Sequence, residues 1–379
     1  MDFNLTDDQQ TIRDVVDRIF ADLCGDDSIK AAYAEAPPFQ RGLWQQLAEA
    51  GVLGASLPEA AGGSALGFTE TCLLLEAQGR SVAPIPLLET VVECALPLAR
   101  HGDPLQVGDT LAAVAGGERL LASLRPYRGL QAQAPLRARG QGAQLSLSGA
   151  TAPAPWAPLA EQFLVGVEDG AGTPLVLLLD ATADGITQTQ QTLIGGIAAA
   201  TVHFDNTPVA PAAVIARGDA AGALLDTQRA LTLTALAAQQ VGVLEEGLRR
   251  TAAYDNERKQ FGRPLSSFQA VAHQAADAYM EIEALRGVYW RALDDIEQGR
   301  DARLAAHAAK YWLCRAGHRV AHTVLHLHGG MGQDLEYPIH RFFTWAKKNE
   351  RYLGPATQHS REIGRLIAAG GERGLSLVA

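Results

Sequence analysis

Beyond Gly222 the sequence carries four long segments with apolar residues at helical spacing: Leu224 to about Asn256, Ser267 to about Glu297, Ala302 to His328, and about Pro355 to Ala369. Long amphipathic helices joined by short connections pack as antiparallel neighbours, so the spacing predicts a C-terminal four-helix bundle over residues 217–379. A bundle of this size cannot stand alone in a chain of 379 residues, which is long enough for about two or three compact units.

The N-terminal part also reads as helix. Thr6-x-x-Gln9 has the form of a capping box, with Ile12, Val15, Val16, Ile19, Phe20 and Leu23 following on one helical face. Phe3 and Leu5 precede the cap where a hydrophobic staple sits. A second helix is expected from Leu43 to Ala50, stopped by Gly51, and a third from about Phe68 to Gln78, with helix dominating to about Gly116. From Leu120 to Val214 the pattern changes to short β-rich runs (QLSLSG, EQFLVGV, PLVLLLD, TVHFDN) separated by Gly, Pro, Asp and Thr clusters, the spacing of an antiparallel barrel or sandwich. The expected fold is α+β, mainly α: an N-terminal helical domain (1–116), a central antiparallel β-barrel domain (117–216) and the bundle.

Charge and cysteine usage narrow the function classes. Lys plus Arg number 32 against 42 Asp plus Glu, a net charge of −10, which argues against a nucleic-acid binder. The four cysteines, Cys24, Cys72, Cys94 and Cys314, form no Cys-x-x-Cys motif or disulfide framework and fit a reducing cytoplasm. MDFNLTDDQQ is acidic where a signal peptide needs a basic region, and no apolar run of about 18 residues appears. A cytoplasmic chain with no membrane span is expected.

Three motifs carry chemistry. Arg258-Lys-Gln-Phe261-Gly262-Arg263-Pro264-Leu265 ends a long helix and leads through Ser267, a candidate N-cap, into the next. There a guanidinium can pair with a phosphate beside an apolar ring; the plain alternative is an interhelical loop with a solvated Arg. His326-Leu-His328-Gly329-Gly330-Met331-Gly332 ends another helix, and its glycines let the backbone bend and approach a ligand; a glycine C-cap is the alternative. The stretch from Glu336 to Lys348 puts aromatics and cations at a helix start, where they either face a planar ligand or fill the core. His318, His322 and His326 share a helical face, but no Cys or carboxylate stands at a fitting spacing and no metal is expected.

In this order, and with the stretches FNLTDDQQTIRD, WQQLAEAGVLGASLPEAAGG, FGRPLSSFQAVAHQAAD and HLHGGMGQDLEYPIHR, the chain resembles the acyl-CoA dehydrogenase family of flavoproteins over nearly its whole length. The resemblance implies FAD as cofactor, an acyl-CoA thioester as substrate, electron-transfer flavoprotein as electron acceptor, and a dimer of dimers with each FAD lying across a subunit boundary. It assigns Arg258, Phe261, Leu265, Gln269, His326, Gly329, Gly330 and Gly332 to the adenosine-diphosphate half of the FAD held by the neighbouring subunit. His326 stands where the family usually has Gln, a mild change because an imidazole also makes one hydrogen bond.

Other positions depart sharply. The family's α-proton base is a Glu in a Tyr-Glu-Gly-Thr-like turn, where this chain has Leu353 before Gly354. In members that carry the Glu on the first bundle helix it precedes an Arg; here Gln228 precedes Arg229. Neither residue is a general base. Where a Thr-Glu-Pro-like strand holds the flavin ring, this chain reads Ser123-Leu124-Arg125-Pro126-Tyr127-Arg128-Gly129, and Trp156 is a poor fit to the aromatic one strand later. No catalytic residue is assigned. The pattern implies the base-lacking subunit of a heteromeric α2β2 acyl-CoA dehydrogenase, of the kind acting on bulky substrates such as steroid side-chain thioesters, with a paralogue supplying base and ring site. The alternatives are a homotetramer with a relocated base (Asp334, Glu336 or Glu350) and a flavin-dependent oxygenase on the same fold.

Overall fold

The structure is a computed structural model that describes residues 4–125, 136–140 and 144–370. In chain order, α1 (Asp7–Leu23), α2 (Asp26–Ala34) and α3 (Arg41–Glu49) precede α4 (Phe68–Ser81). A π-helical segment, Leu87–Ala95, runs into α5 (Leu96–His101), and α6 (Pro104–Ala115) follows. The strands are β1 (Leu121–Leu124), β2 (Arg137–Arg139), β3 (Ser146–Ala150), β4 (Ala154–Pro155), β5 (Gln162–Glu168), β6 (Pro174–Asp180), β7 (Ile186–Thr192), β8 (Ala198–Pro208) and β9 (Val214–Arg217). Next come α7 (Asp219–Glu257), the short hairpin β10 (Lys259–Gln260) and β11 (Arg263–Pro264), α8 (Gln269–Glu297), α9 (Arg303–His328), α10 (Ile339–Arg351) and α11 (Ala356–Gly370).

These elements form two compact units. One combines Met1–Lys30, Phe68–Ala83 and Leu233–Ala379; the other, Ala31–Gly67 and Pro84–Thr232. In the first unit the α1 capping box is complete: the Gln9 N–H donates to Thr6 Oγ1 at 3.2 Å and the Thr6 N–H to Gln9 Oε1 at 3.1 Å. Val16 and Phe20 are the buried residues of its apolar face, while the staple expected at Phe3 lies outside the described residues. The bundle contains a helix more than the four long patterns suggest, because 339–351 forms α10 with Ile339, Phe342, Trp345 and Ala346 buried. Those aromatics are core.

One expected cap is absent. Ser267 does not cap α8; its hydroxyl donates to the Pro264 carbonyl at 2.7 Å and closes a 3-10 turn, so α8 starts at Gln269 after Phe268. A serine two residues before a helix is spent on the tighter turn that the chain needs to leave β11.

In the second unit the strands make two sheets, β1-β5-β6-β9 and β2-β3-β8-β4 with β7 also on β8. Phe163, Val165, Leu175 and Leu177 from one sheet share a buried core with Leu147, Val202 and Phe204 from the other. Pairing is antiparallel except for β1 on β5, where Leu121 stands opposite Gln162. The intervening β2, β3 and β4 lie in the other sheet, so the chain returns to β1 by a crossover, which sets the strands parallel. Among the described residues no helix is long and apolar enough to cross a membrane.

Candidate functional site

One end of the bundle gathers the end of α7, the start of α8 and the end of α9. Phe261 and Gly262 form the two-residue loop of the β10–β11 hairpin with φ of +53° and +80°, the signs of a type I′ turn. The Leu265 N–H donates to the Arg258 carbonyl at 2.9 Å and closes the hairpin's base. A bulky residue at positive φ is strained, yet Phe261 is 93% exposed. The strain therefore does not serve packing within this chain. Arg263 lies 4.0 Å over the Phe268 ring, and Phe268 meets Phe261 edge-on at 6.2 Å. Arg258 and Gln269 are exposed, Leu265 is half-buried, and the Arg258 guanidinium has no hydrogen-bond or ion-pair partner among the described residues.

His326 Nδ1 lies 3.0 Å from Gln274 Oε1, tying the last turn of α9 to the first turns of α8. His328 Nδ1 donates to the Val324 carbonyl at 2.8 Å and its ring stacks on Tyr254 at 4.6 Å, tying α9 to α7. Burial pushes the His328 pKa down. Gly329 adopts φ +58°, ψ −134°, a region that only glycine enters without strain, and so ends the helix. Gly330 differs: a Cβ there would meet nothing within 4 Å, so nothing among the described residues demands a glycine. At Gly332 a Cβ would lie 2.9 Å from the Leu325 carbonyl, a packing requirement. The site thus presents an unpaired guanidinium, an exposed ring and bare backbone, a fit for a phosphate group joined to an aromatic base. Asp255, not legible as a site residue, lies 2% exposed one turn before Arg258, with Oδ1 unpartnered and its pKa pushed up to about 6 by burial.

The two positions at which the resemblance implies a base hold groups that take no proton, Leu353 and Gln228. Leu353 sits at φ +60° before Gly354 at φ +106°, and its carbonyl accepts from His359 Nε2 at 3.2 Å. Gln228 is buried; its Nε2 donates to the Glu93 carbonyl at 2.5 Å and to Ser123 Oγ at 3.1 Å. The three carboxylates considered as a relocated base do not converge. Asp334 Oδ1 accepts from the Glu336 N–H at 2.9 Å in an exposed loop, Glu336 pairs with Lys30, and Glu350 pairs with Lys347 at 2.7 Å. Lys347 also lies 2.7 Å from His318 Nδ1, placing a cation beside the histidine face of α9.

The strand expected to hold a flavin ring is engaged internally. Arg125 Nη2 donates to the Glu93 carboxylate at 3.0 Å, Glu93 is 1% exposed, and Ser123 carries the Gln228 amide. Pro126 to Gly129 lie outside the described residues. Trp156 is 1% exposed, held at φ +62°, and meets Phe39 edge-on at 5.7 Å. Its ring is therefore core and not a ligand platform. Glu93 is not legible as a site residue in the sequence; the one local signal that points to it is an acid inside the apolar run LLETVVECALPL.

Comparison with known proteins identifies the family. The acyl-CoA dehydrogenase N-terminal domain matches residues 6–118 and the C-terminal domain residues 222–368. Acyl-CoA dehydrogenase FadE27 of Mycobacterium tuberculosis is 36% identical over 377 residues, covering 97% of this chain and 99% of that protein. In the crystal structure of the ChsE4-ChsE5 complex from Mycobacterium tuberculosis, one chain superposes with a TM-score of 0.90 at 34% identity, over 97% of this chain and 99% of that one. A variant of the Tcur3481-Tcur3483 steroid ACAD gives a TM-score of 0.87 at 39% identity, over 96% and 98% of the two chains. The chain belongs to the acyl-CoA dehydrogenase family of FAD-dependent oxidoreductases.

Proposed function

We propose that this chain is the base-lacking subunit of a heteromeric α2β2 acyl-CoA dehydrogenase that oxidises a bulky, steroid-like acyl-CoA and passes electrons to an electron-transfer flavoprotein. One contrast carries the reading. The nucleotide-facing groups Arg258, Phe261 and Gly330 are exposed: the guanidinium has no partner among the described residues, the Phe261 ring is 93% exposed, and a Cβ at Gly330 would meet nothing within 4 Å. The ring-side groups Ser123, Arg125 and Trp156 are instead consumed by Gln228, Glu93 and Phe39.

In this role Arg258 pairs with a phosphate, Phe261 packs on the adenine side, and the backbone at Gly330 admits close approach, all toward a flavin whose ring belongs to the partner subunit. FAD supplies the hydride acceptor of α,β-dehydrogenation. In this reading no residue of this chain removes the α-proton, since Leu353 and Gln228 occupy the two positions at which the resemblance implies a base. The relatives support the substrate class and the assembly: one is described as a steroid ACAD, and another as the ChsE4-ChsE5 complex. The test is co-expression with a paralogue that has an intact Glu turn. Co-purification of both chains with turnover of a steroid side-chain thioester is expected, and turnover by this chain alone would overturn the proposal.

A further inference from the structure

Gln228 stands where some relatives carry the base, and its surroundings require a hydrogen-bond donor. Its amide nitrogen reaches the Glu93 carbonyl at 2.5 Å and Ser123 Oγ at 3.1 Å, with all three residues buried. One backbone donor is missing near the Glu93 carbonyl. Glu93 lies in the last turn of the π-helical segment, just before α5, and where the chain passes to α-helical pairing the residue four positions on, whose N–H an α-helix would use, is Pro97. Proline has no N–H to give. The carboxylate of the same residue accepts from Arg125 at 3.0 Å.

We propose that Gln228 is a positioning residue that stands in for the missing Pro97 N–H, so that a carboxylate at 228 is held protonated and cannot act as a base. An ionised carboxylate there would set two oxygens against a carbonyl oxygen and beside the buried Glu93, with Glu89 four residues back on the same segment. Arg125 is the cation on the β1 side and is already engaged by Glu93; Asp226 and Arg229 flank the position on α7 itself. Loss of the base in this chain is therefore not reversed by one codon. The inference rests on the proposed function for its meaning only, because its test reads stability and not flavin content or turnover.

The experiment is thermal unfolding of the full chain, in the assembly in which it purifies, as wild type, Gln228→Glu and Gln228→Met. A carboxyl whose folded pKa is raised binds its proton more tightly in the fold, so its penalty is absent below the unfolded pKa and grows as pH rises toward the folded one. The Tm deficit of Gln228→Glu is expected to grow by about 3 °C or more between about pH 5 and about pH 8, while Gln228→Met, which removes the donor without a charge, shows a deficit independent of pH. A Gln228→Glu deficit that is absent or flat with pH overturns the inference, as does an unperturbed Gln228→Met. If Gln228→Glu does not accumulate at any pH, the double variant Pro97→Ala/Gln228→Glu decides, since Pro97→Ala gives that carbonyl a backbone N–H. Recovery is expected, and no recovery overturns the inference.

Discussion

The Tyr254 ring stacks on His328 with centroids 4.6 Å apart and planes 23° apart, and this contact joins the helix end that carries Arg258 to the helix end that carries Gly329. The two motifs are distant in sequence, and the stack ties their helix ends together, as the His326–Gln274 contact ties α9 to α8. Tyr254→Ala removes an aromatic pair worth about 0.5 to 1.5 kcal/mol beyond its burial. The expected result is a lower Tm together with weaker flavin retention in the assembled protein, read by thermal unfolding and by flavin release on dilution.

Arg258→Ala separates binding from folding. The guanidinium has no partner within the described chain, so the Tm of this chain alone should not move. A charge-assisted bond to phosphate is worth about 1.5 to 3 kcal/mol, so the flavin dissociation constant of the assembled protein should rise roughly ten- to hundredfold. An unchanged constant would reduce the motif to an interhelical loop.

Adjacent glycines are expected to behave oppositely. Gly329→Ala forces a Cβ into φ +58°, ψ −134° and should cost about 1 to 3 kcal/mol of stability in the chain alone. Gly330→Ala meets nothing within 4 Å and should leave stability unchanged while weakening flavin retention. Equal effects of the two substitutions on both measurements would argue against a ligand at this turn.

Asp255 gives a pH signature of its own. Its folded pKa, about 6, lies above the ordinary carboxylate value, so its ionisation lowers stability as pH rises from about 4 toward 6 and the cost persists above that. Asp255→Asn should raise Tm at about pH 8 and give no gain at about pH 4. Unfolding curves at the two pH values check it.

Much of this was legible beforehand because it is local. The Thr6/Gln9 box is a contact three residues apart, and α7, α8 and α9 repeat their apolar residues over many turns, so periodicity alone found them. The Gly329 turn was visible for the same reason. What stayed hidden depends on partners far away in sequence. Nothing near Gln228 announces that it will cap a carbonyl 135 residues earlier, and nothing near Trp156 announces Phe39. Ser267 had two local uses, cap and turn, and the geometry of the preceding hairpin chose the second. The stretch from Glu336 to Lys348 left ligand and core both open because its aromatics fit either face; packing decides for the core, with Phe342 and Trp345 buried.

Leu353→Glu places a carboxylate at the position where the resemblance implies a base but should not yield an active enzyme from this chain alone. General-base catalysis contributes about 10² to 10⁴ in rate only when the base is in reach of a positioned substrate. The Leu353 carbonyl is tied to His359, and Ser123 and Arg125 are engaged with Gln228 and Glu93. Assay with straight, branched and steroid-like acyl-CoAs and an artificial electron acceptor should show no turnover above background.

The most direct test of the division of labour is flavin counting against chain number. Purified alone, this chain should hold flavin weakly and far below one per chain, because its ring-side groups are occupied; assembled with a paralogue bearing the Glu turn, the complex should hold half as many flavins as chains. A full complement of tightly bound FAD on the chain alone would contradict the account.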